Sequence, residues 1–245
     1  MDDGTRAFGQ EPTRKGREAG APVDYNFRFD AVLRYQDEIV EGVPLTLQLS
    51  AATMAVGLLI GLAVALLSTS RLPALRAPAR VYVETIRNTP LLVQLFIVFF
   101  GLPSIGIKLT ANESAFIALS INMGAYGAEI IRAGIESIRH SQIEAGRALG
   151  LSEVQTFQHV VLFQALKAIY PALASQFVLL MLATSIVSSI GASELFHQGA
   201  FIESRTYRSF EVYALITLAY LAITLALRAL FSGFYWLVFV RRPAR

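Results

Sequence analysis

Polar side chains set inside long apolar runs are the residues of this chain that invite a chemical reading. Gln94 lies in the run 81–102, Asn122 in 113–133, and Thr184, Ser185, Ser188 and Ser189 in 171–190. At membrane depth an unpaired polar group is expensive, so a cluster of them marks a path for a solute. Amides and hydroxyls offer hydrogen bonds to such a solute, not bond cleavage. A nucleophilic serine needs a histidine or lysine base. His140, His159 and His197 lie outside the apolar runs and far apart, which also argues against a metal site. The absence of cysteine excludes disulfides, zinc–thiolate centres and iron–sulfur clusters. No GxxxxGK[ST] loop is present, so ATP is not expected to bind this chain. Each hydroxyl also has a plainer use, bonding back to a carbonyl of its own helix.

The elements that must position these groups are membrane helices. The chain has 245 residues, of which 54% are hydrophobic and only 16% charged, and its mean hydropathy is +0.52. Crossing about 30 Å of hydrocarbon takes about 20 apolar residues. Runs at 43–68, 81–102, 113–133, 171–190 and 211–239 meet that need, which predicts an all-α, polytopic membrane protein with five spans. Charged residues are expected at the span ends. Glu129 and Arg132, three apart, are expected to pair on one helix face. Gly57 and Gly61 provide a small-xxx-small face for close helix packing. Pro90 is expected to kink or restart the second span, and 103–112 and 191–210 read as outer loops.

Charge sets the orientation. Residues 1–41 hold six Lys/Arg against nine Asp/Glu, and the remainder fifteen against nine. Arg71, Arg76 and Arg80, then Arg139, Arg147 and Lys167, then Arg241, Arg242 and Arg245 fall in alternate connections, which predicts a cytoplasmic location for all three. The N-terminus is then outside, residues 241–245 form a cytoplasmic tail, and the outer connections carry Lys108, Arg205 and Arg208. The basic pI of about 9.3 reports this topology and not nucleic-acid binding. Residues 1–24 read as a disordered tail without the apolar core of a signal peptide. Residues 25–42 read as an interfacial segment, with a short helix over Phe29–Val40.

One connection, 134–170, is too structured for a plain loop. A first helical arm runs to Leu149, and Gly150 is suited to the left-handed turn at its end. Ser152 and Gln155 have capping-box spacing, so a second short helix should start at once. On it Val154, Phe157 and Val161 share a face. The pair forms a compact knob able to enter a groove on a soluble partner.

Glu144-Ala145-Gly146, Gly150, Val160 and Leu162 resemble, at every spacing, the EAA loop of ABC-transporter permeases, which reads Glu-Ala-Ala, Gly, Ile, Leu-Pro. Gly146 replaces the second alanine, Val160 the isoleucine, and Phe163 the helix-directing proline. Arg87-Asn88-Thr89-Pro90-Leu91-Leu92-Val93-Gln94, the stretch 124–134 and Phe210-Glu211-Val212-Tyr213 are similar to the polar amino-acid (histidine, glutamate, glutamine, arginine, opine) permease family. The resemblance covers residues 28–240. It implies a type I ABC importer transmembrane domain in the bacterial cytoplasmic membrane, with no catalysis in this chain. Glu144, Ala145, Gly146, Gly150, Val160 and Leu162 would couple to an ABC ATPase, which binds ATP and Mg. A second permease subunit, an extracytoplasmic solute-binding protein, a small amino-acid solute and the lipid bilayer are the remaining partners. Gln94, Asn122, Thr184, Ser185 and Ser188 would line the solute path. Family members often carry Lys-Asp before the Thr-Ser of this path; Leu182 and Ala183 stand there instead, which points to a non-identical second permease. The alternative class is a secondary transporter or channel. It would need charges deep in the spans or inverted repeats, and neither is evident.

Overall fold

The computed structural model describes residues 25–241, and the expected tail at 1–24 lies outside them, as do 242–245. The described residues fold as helices, with no strand among them. In chain order they are α1 (Phe29–Leu33), α2 (Gln36–Ser68), α3 (Pro73–Arg87), α4 (Leu91–Ser104), α5 (Ala111–Glu136), α6 (His140–Ala148), α7 (Glu153–Ile190), α8 (Leu195–Thr206) and α9 (Ser209–Val240). Four of them (α2, α5, α7, α9) are long and apolar enough to cross a membrane singly, and α3 with α4 makes a fifth candidate bent by 108°.

Several boundaries differ from expectation, each for a local reason. The helix of the first span starts at Gln36 and takes in the last seven residues, 36–42, of the supposed interfacial segment. Asp37 and Glu38 fall in its first turn, where acids suit the positive end of the helix dipole and do not stop the helix. The second span is not one rod over 81–102: the chain turns sharply at 88–90, where Pro90 is the residue before α4. The outer stretch 191–210 contains α8, whose N-cap is Glu194 accepting from the His197 amide at 2.9 Å. The second arm of the knob is not a separate short helix. It is the first part of α7, which runs 38 residues without interruption into the fourth span. Phe163 keeps a backbone donor where a proline would have removed it, whereas Pro171 is carried within the same helix. The Phe163 ring packs on Phe239 of α9, 5.6 Å between centroids.

Glycines set how closely α2 and α5 approach. A Cβ on Gly57 would sit 2.5 Å from Met123, and one on Gly61 2.8 Å from the Ala128 amide nitrogen. The small-residue face expected from the sequence therefore meets α5 backbone to backbone, as tight membrane packing demands. Around it Leu49, Leu95, Leu119, Met123 and Val187 form a buried core shared by α2, α4, α5 and α7. The knob-bearing half of α7 comes very close to α5 at Gly134, where a Cβ would lie 2.0 Å from Ile169 Cγ2.

A second core joins α8 and α9 through Leu195, Ile202, Val212, Ile216 and Tyr220. Two buried acids pin it. Glu194 accepts from Tyr220 Oη at 2.6 Å. Glu211 accepts from the Tyr25 hydroxyl, and from the Arg28 amide at 3.0 Å, tying the segment before α1 to the start of α9. Arg208 adds a bond to the Asn26 carbonyl at 3.1 Å.

Candidate functional site

The knob is built by its turn. Gly150 has φ +81°. Its amide donates to the Arg147 carbonyl at 2.9 Å, and the Leu151 amide to the Gly146 carbonyl at 3.2 Å. These are the two bonds of a Schellman ending, which satisfies the last carbonyls of α6. Ser152 Oγ then accepts from the Gln155 amide at 3.3 Å, and Gln155 Oε1 from the Ser152 amide at 2.9 Å. The sequence signals of Gly150 and the capping box thus each have a structural counterpart. Arg147 ties the two arms by reaching Glu153 at 2.8 Å. That carboxylate holds the exposed guanidinium above its ordinary pKa.

Gly146 is buried between the arms, where a Cβ would come within 3.1 Å of Thr156 Cγ2. The replacement of alanine by glycine allows that approach. Glu144 and Ala145 point outward, and Glu144 Oε1 lies 3.1 Å from His140 Nδ1. The Val154–Phe157–Val161 face splits: Val161 is buried, while Val154 and Phe157 are exposed. With Leu149 and Leu162 they leave an apolar cap on a charged knob, the kind of exposed patch that marks a contact surface. Val160 is half-buried.

The polar residues of the spans separate into two groups. Gln94 and Asn122 meet, Asn122 Nδ2 donating to Gln94 Oε1 at 2.9 Å. Gln94 Nε2 reaches the Ile86 carbonyl at 2.7 Å and Thr89 Oγ1 at 2.8 Å. Their bonding groups therefore clasp the sharp turn between α3 and α4. Thr184, Ser185, Ser188 and Ser189 fall in the last, 3₁₀-wound stretch of α7, Thr184–Ile190. Each hydroxyl bonds to the carbonyl three residues earlier, at 2.7–2.8 Å. That is the plainer use foreseen for hydroxyls, at the tighter 3₁₀ interval. Thr184 is fully buried, while Ser185 and Ser188 are partly open.

Besides a cleft of about 280 Å³ at Gly134 and Ile169, three clefts are prominent among the described residues. One of about 540 Å³ lies between α7 and α9 and is lined by Leu182, Ser185, Tyr213, Thr217 and Tyr220, with Phe196 of α8. A second, of about 230 Å³, lies lower between the same two helices and includes Tyr170, Ser175, Arg228, Ser232 and Tyr235. The third, about 740 Å³, is polar and opens where α3 meets α5, with Arg76, Arg80, Arg87 and Arg132 around it. Glu129 bridges Arg87, at 3.3 Å, and Arg132, so the expected Glu129–Arg132 pair is one link of a longer chain. Arg132 continues it to Glu136 at 2.8 Å. Among the described residues no cluster of three His, Asp or Glu has metal-holding geometry.

Arg228 is the residue that the sequence reading passed over. It lies inside the fifth apolar run, contrary to the expectation that charges sit at span ends, and is exposed. The signal was present as a lone arginine in a run whose mean hydropathy hid it.

Residues 57–241 match the family model described as binding-protein-dependent transport system inner membrane component. The chain belongs to that family. It is 36% identical over 200 residues to the probable amino-acid ABC transporter permease protein YckA of Bacillus subtilis, covering 82% of this chain and 88% of the relative. It is 33% identical over 225 residues to the octopine transport system permease protein OccM of Rhizobium radiobacter, covering 87% and 92%. In three dimensions it superposes on a chain of the crystal structure of an amino acid ABC transporter with histidines. The TM-score is 0.82 at 38% identity, over 86% of this chain and 99% of that one. This is a multi-pass membrane permease subunit of the ABC importer class, with the all-helical type I fold.

Proposed function

We propose that the chain is one membrane half of an importer for amino acids or opines, driven by a partner ATPase. The observation that carries this reading is the mechanical continuity of α7. The Schellman turn and capping box fix α6 on the end of a helix that runs from Glu153 to Ile190 without a break. A push on the knob therefore becomes a rigid-body movement of a span. The apolar cap of Leu149, Val154 and Phe157, with Glu144 beside it, is the face offered to the ATPase groove. ATP and Mg are bound by that partner, and its closure moves the two knobs of a permease pair so that the membrane path alternates between its two openings. The N-terminus lies outside and the C-terminus in the cytoplasm, supported by the arginines of the 69–80, 134–170 and C-terminal connections.

An extracytoplasmic binding protein delivers the solute, and a second permease completes the path. Leu182 and Ala183 remove formal charge from this subunit's upper cleft, which supports a non-identical second permease holding the charged contacts there. Ser185, Thr217 and the Tyr213 hydroxyl are the neutral polar groups of that cleft. Gln94 and Asn122 act on the path indirectly, through the α3–α4 turn. The test is reconstitution of the chain with its ATPase, companion permease and binding protein in liposomes, followed by uptake of L-glutamine and octopine. Uptake that requires ATP and the binding protein is expected. Uptake driven by an ion gradient without ATP would instead establish the secondary-transporter class.

A further inference from the structure

The upper and lower clefts between α7 and α9 lie on one line. Ser175, Leu182 and Ser185 of α7 are seven and three residues apart, and Thr217, Tyr220 and Arg228 of α9 three and eight apart. Both spacings hold one face of a helix. The two helices run antiparallel, as shown at the lower end by the Tyr170 hydroxyl donating to the Phe231 carbonyl at 2.9 Å and at the upper end by the shared cleft of Ser185 and Thr217. The two clefts are therefore segments of a single lane.

Arg228 is the only formal charge lining either segment. Among the described residues it has neither an ion pair nor a hydrogen bond, and an intramembrane arginine needs a partner. It lies 19 residues from the start of α9, hence about 29 Å along the helix. That is close to the full hydrocarbon thickness of about 30 Å. Tyr235 and Trp236 follow Arg228 by seven and eight residues on α9, about 11 and 12 Å beyond it, where aromatic residues form the interfacial belt. Lipid is not the occupant the lane favours. The exposed leucines Leu230 and Leu237, on the side of α9 turned away from Arg228, give it an apolar face for acyl chains, whereas the lane carries hydroxyls and a guanidinium.

We propose that the lane conducts a carboxylate-bearing solute toward the C-terminal side of the membrane, and that Arg228 receives its carboxylate there. The inference rests on the permease reading above and deepens it. The planar guanidinium pairs with a carboxylate through two parallel hydrogen bonds. With Leu182 and Ala183 leaving the upper lane uncharged, this subunit's attraction for an anion lies at the lower end.

The natural lack of cysteine makes a direct test available. In inside-out membrane vesicles holding the complete transporter, the single-cysteine variant Arg228→Cys should react with a membrane-impermeant sulfonate thiol reagent much faster than Leu230→Cys. Equally slow labelling of both puts residue 228 in lipid and overturns the lane. In reconstituted liposomes, Arg228→Gln should slow uptake of L-glutamine or octopine about tenfold, the size of one lost charge-assisted pair, and Arg228→Lys should retain most of the rate. Wild-type uptake in Arg228→Gln overturns the carboxylate contact. So does a defect that follows the anionic-lipid content of the liposomes, which assigns the arginine to a headgroup. Failure of wild-type uptake sinks the permease reading and the carboxylate role with it, while the cysteine labelling still decides the lane.

Discussion

Replacing Gly150 with valine strains the knob without filling any space. The residue has φ +81°, and a Cβ there would meet nothing within 4 Å. The cost is therefore backbone only. The left-handed region costs an L-residue roughly 1–2 kcal/mol, and a β-branched side chain sits at the upper end. About 2 kcal/mol corresponds to about a thirtyfold shift toward a turn that has lost its two Schellman bonds. Because the turn is at the surface, the membrane core should keep its thermal stability within about 1 kcal/mol. Solute imported per ATP hydrolysed is the quantity to measure, alongside recovery of the ATPase in affinity purification. Gly150→Val should lower both, and Gly150→Asn, which tolerates the left-handed conformation, should lower them far less. A valine variant with wild-type coupling, or an asparagine variant as impaired as valine, would refute the reasoning.

Charge reversal Glu144→Lys removes only an exposed contact to His140, so folding should be unchanged while ATPase recovery in pull-down falls. Gly134→Val drives a side chain into Ile169 and should cost about 1–3 kcal/mol from overpacking, read as a lower unfolding temperature in detergent. Gln94→Leu leaves the Asn122 amide and the Ile86 and Thr89 carbonyls short of partners. About 1–3 kcal/mol of stability should be lost, with faster proteolysis in the 88–90 turn. Glu211→Ala unties Tyr25 and Arg28, so cleavage near residues 25–34 by an added protease should speed up while α9 remains protected.

Much of the knob was legible because its determinants are local. Gly150 and the Ser152–Gln155 pair act over three residues, and spacing alone reveals them. The long extent of α7 was less visible, since the polar composition of 153–170 masks a helix that simply continues into the fourth span. Helix α8 was missed because its N-cap is Glu194, outside the Ser, Thr, Asp and Asn set that signals a start. Pro90 announced a break, but the 108° bend depends on Gln94 reaching back eight residues and on Asn122 across the bundle. Such contacts leave no periodic trace. The serines of the fourth span were visible as polar groups, yet their 3₁₀ winding, which turns each hydroxyl onto its own backbone, was not.

The close approach of Gly134 to Ile169 has a geometric consequence for α7. It places a fulcrum 16 residues, about 24 Å, from the knob end of the helix and 21 residues, about 32 Å, from the far end. A rod held near its middle moves its two ends in opposite directions by comparable amounts. When two such rods are drawn together below, they spread above. Glycine at that point keeps the fulcrum narrow: a larger side chain would turn a point of rotation into a flat bearing and make the rod slide.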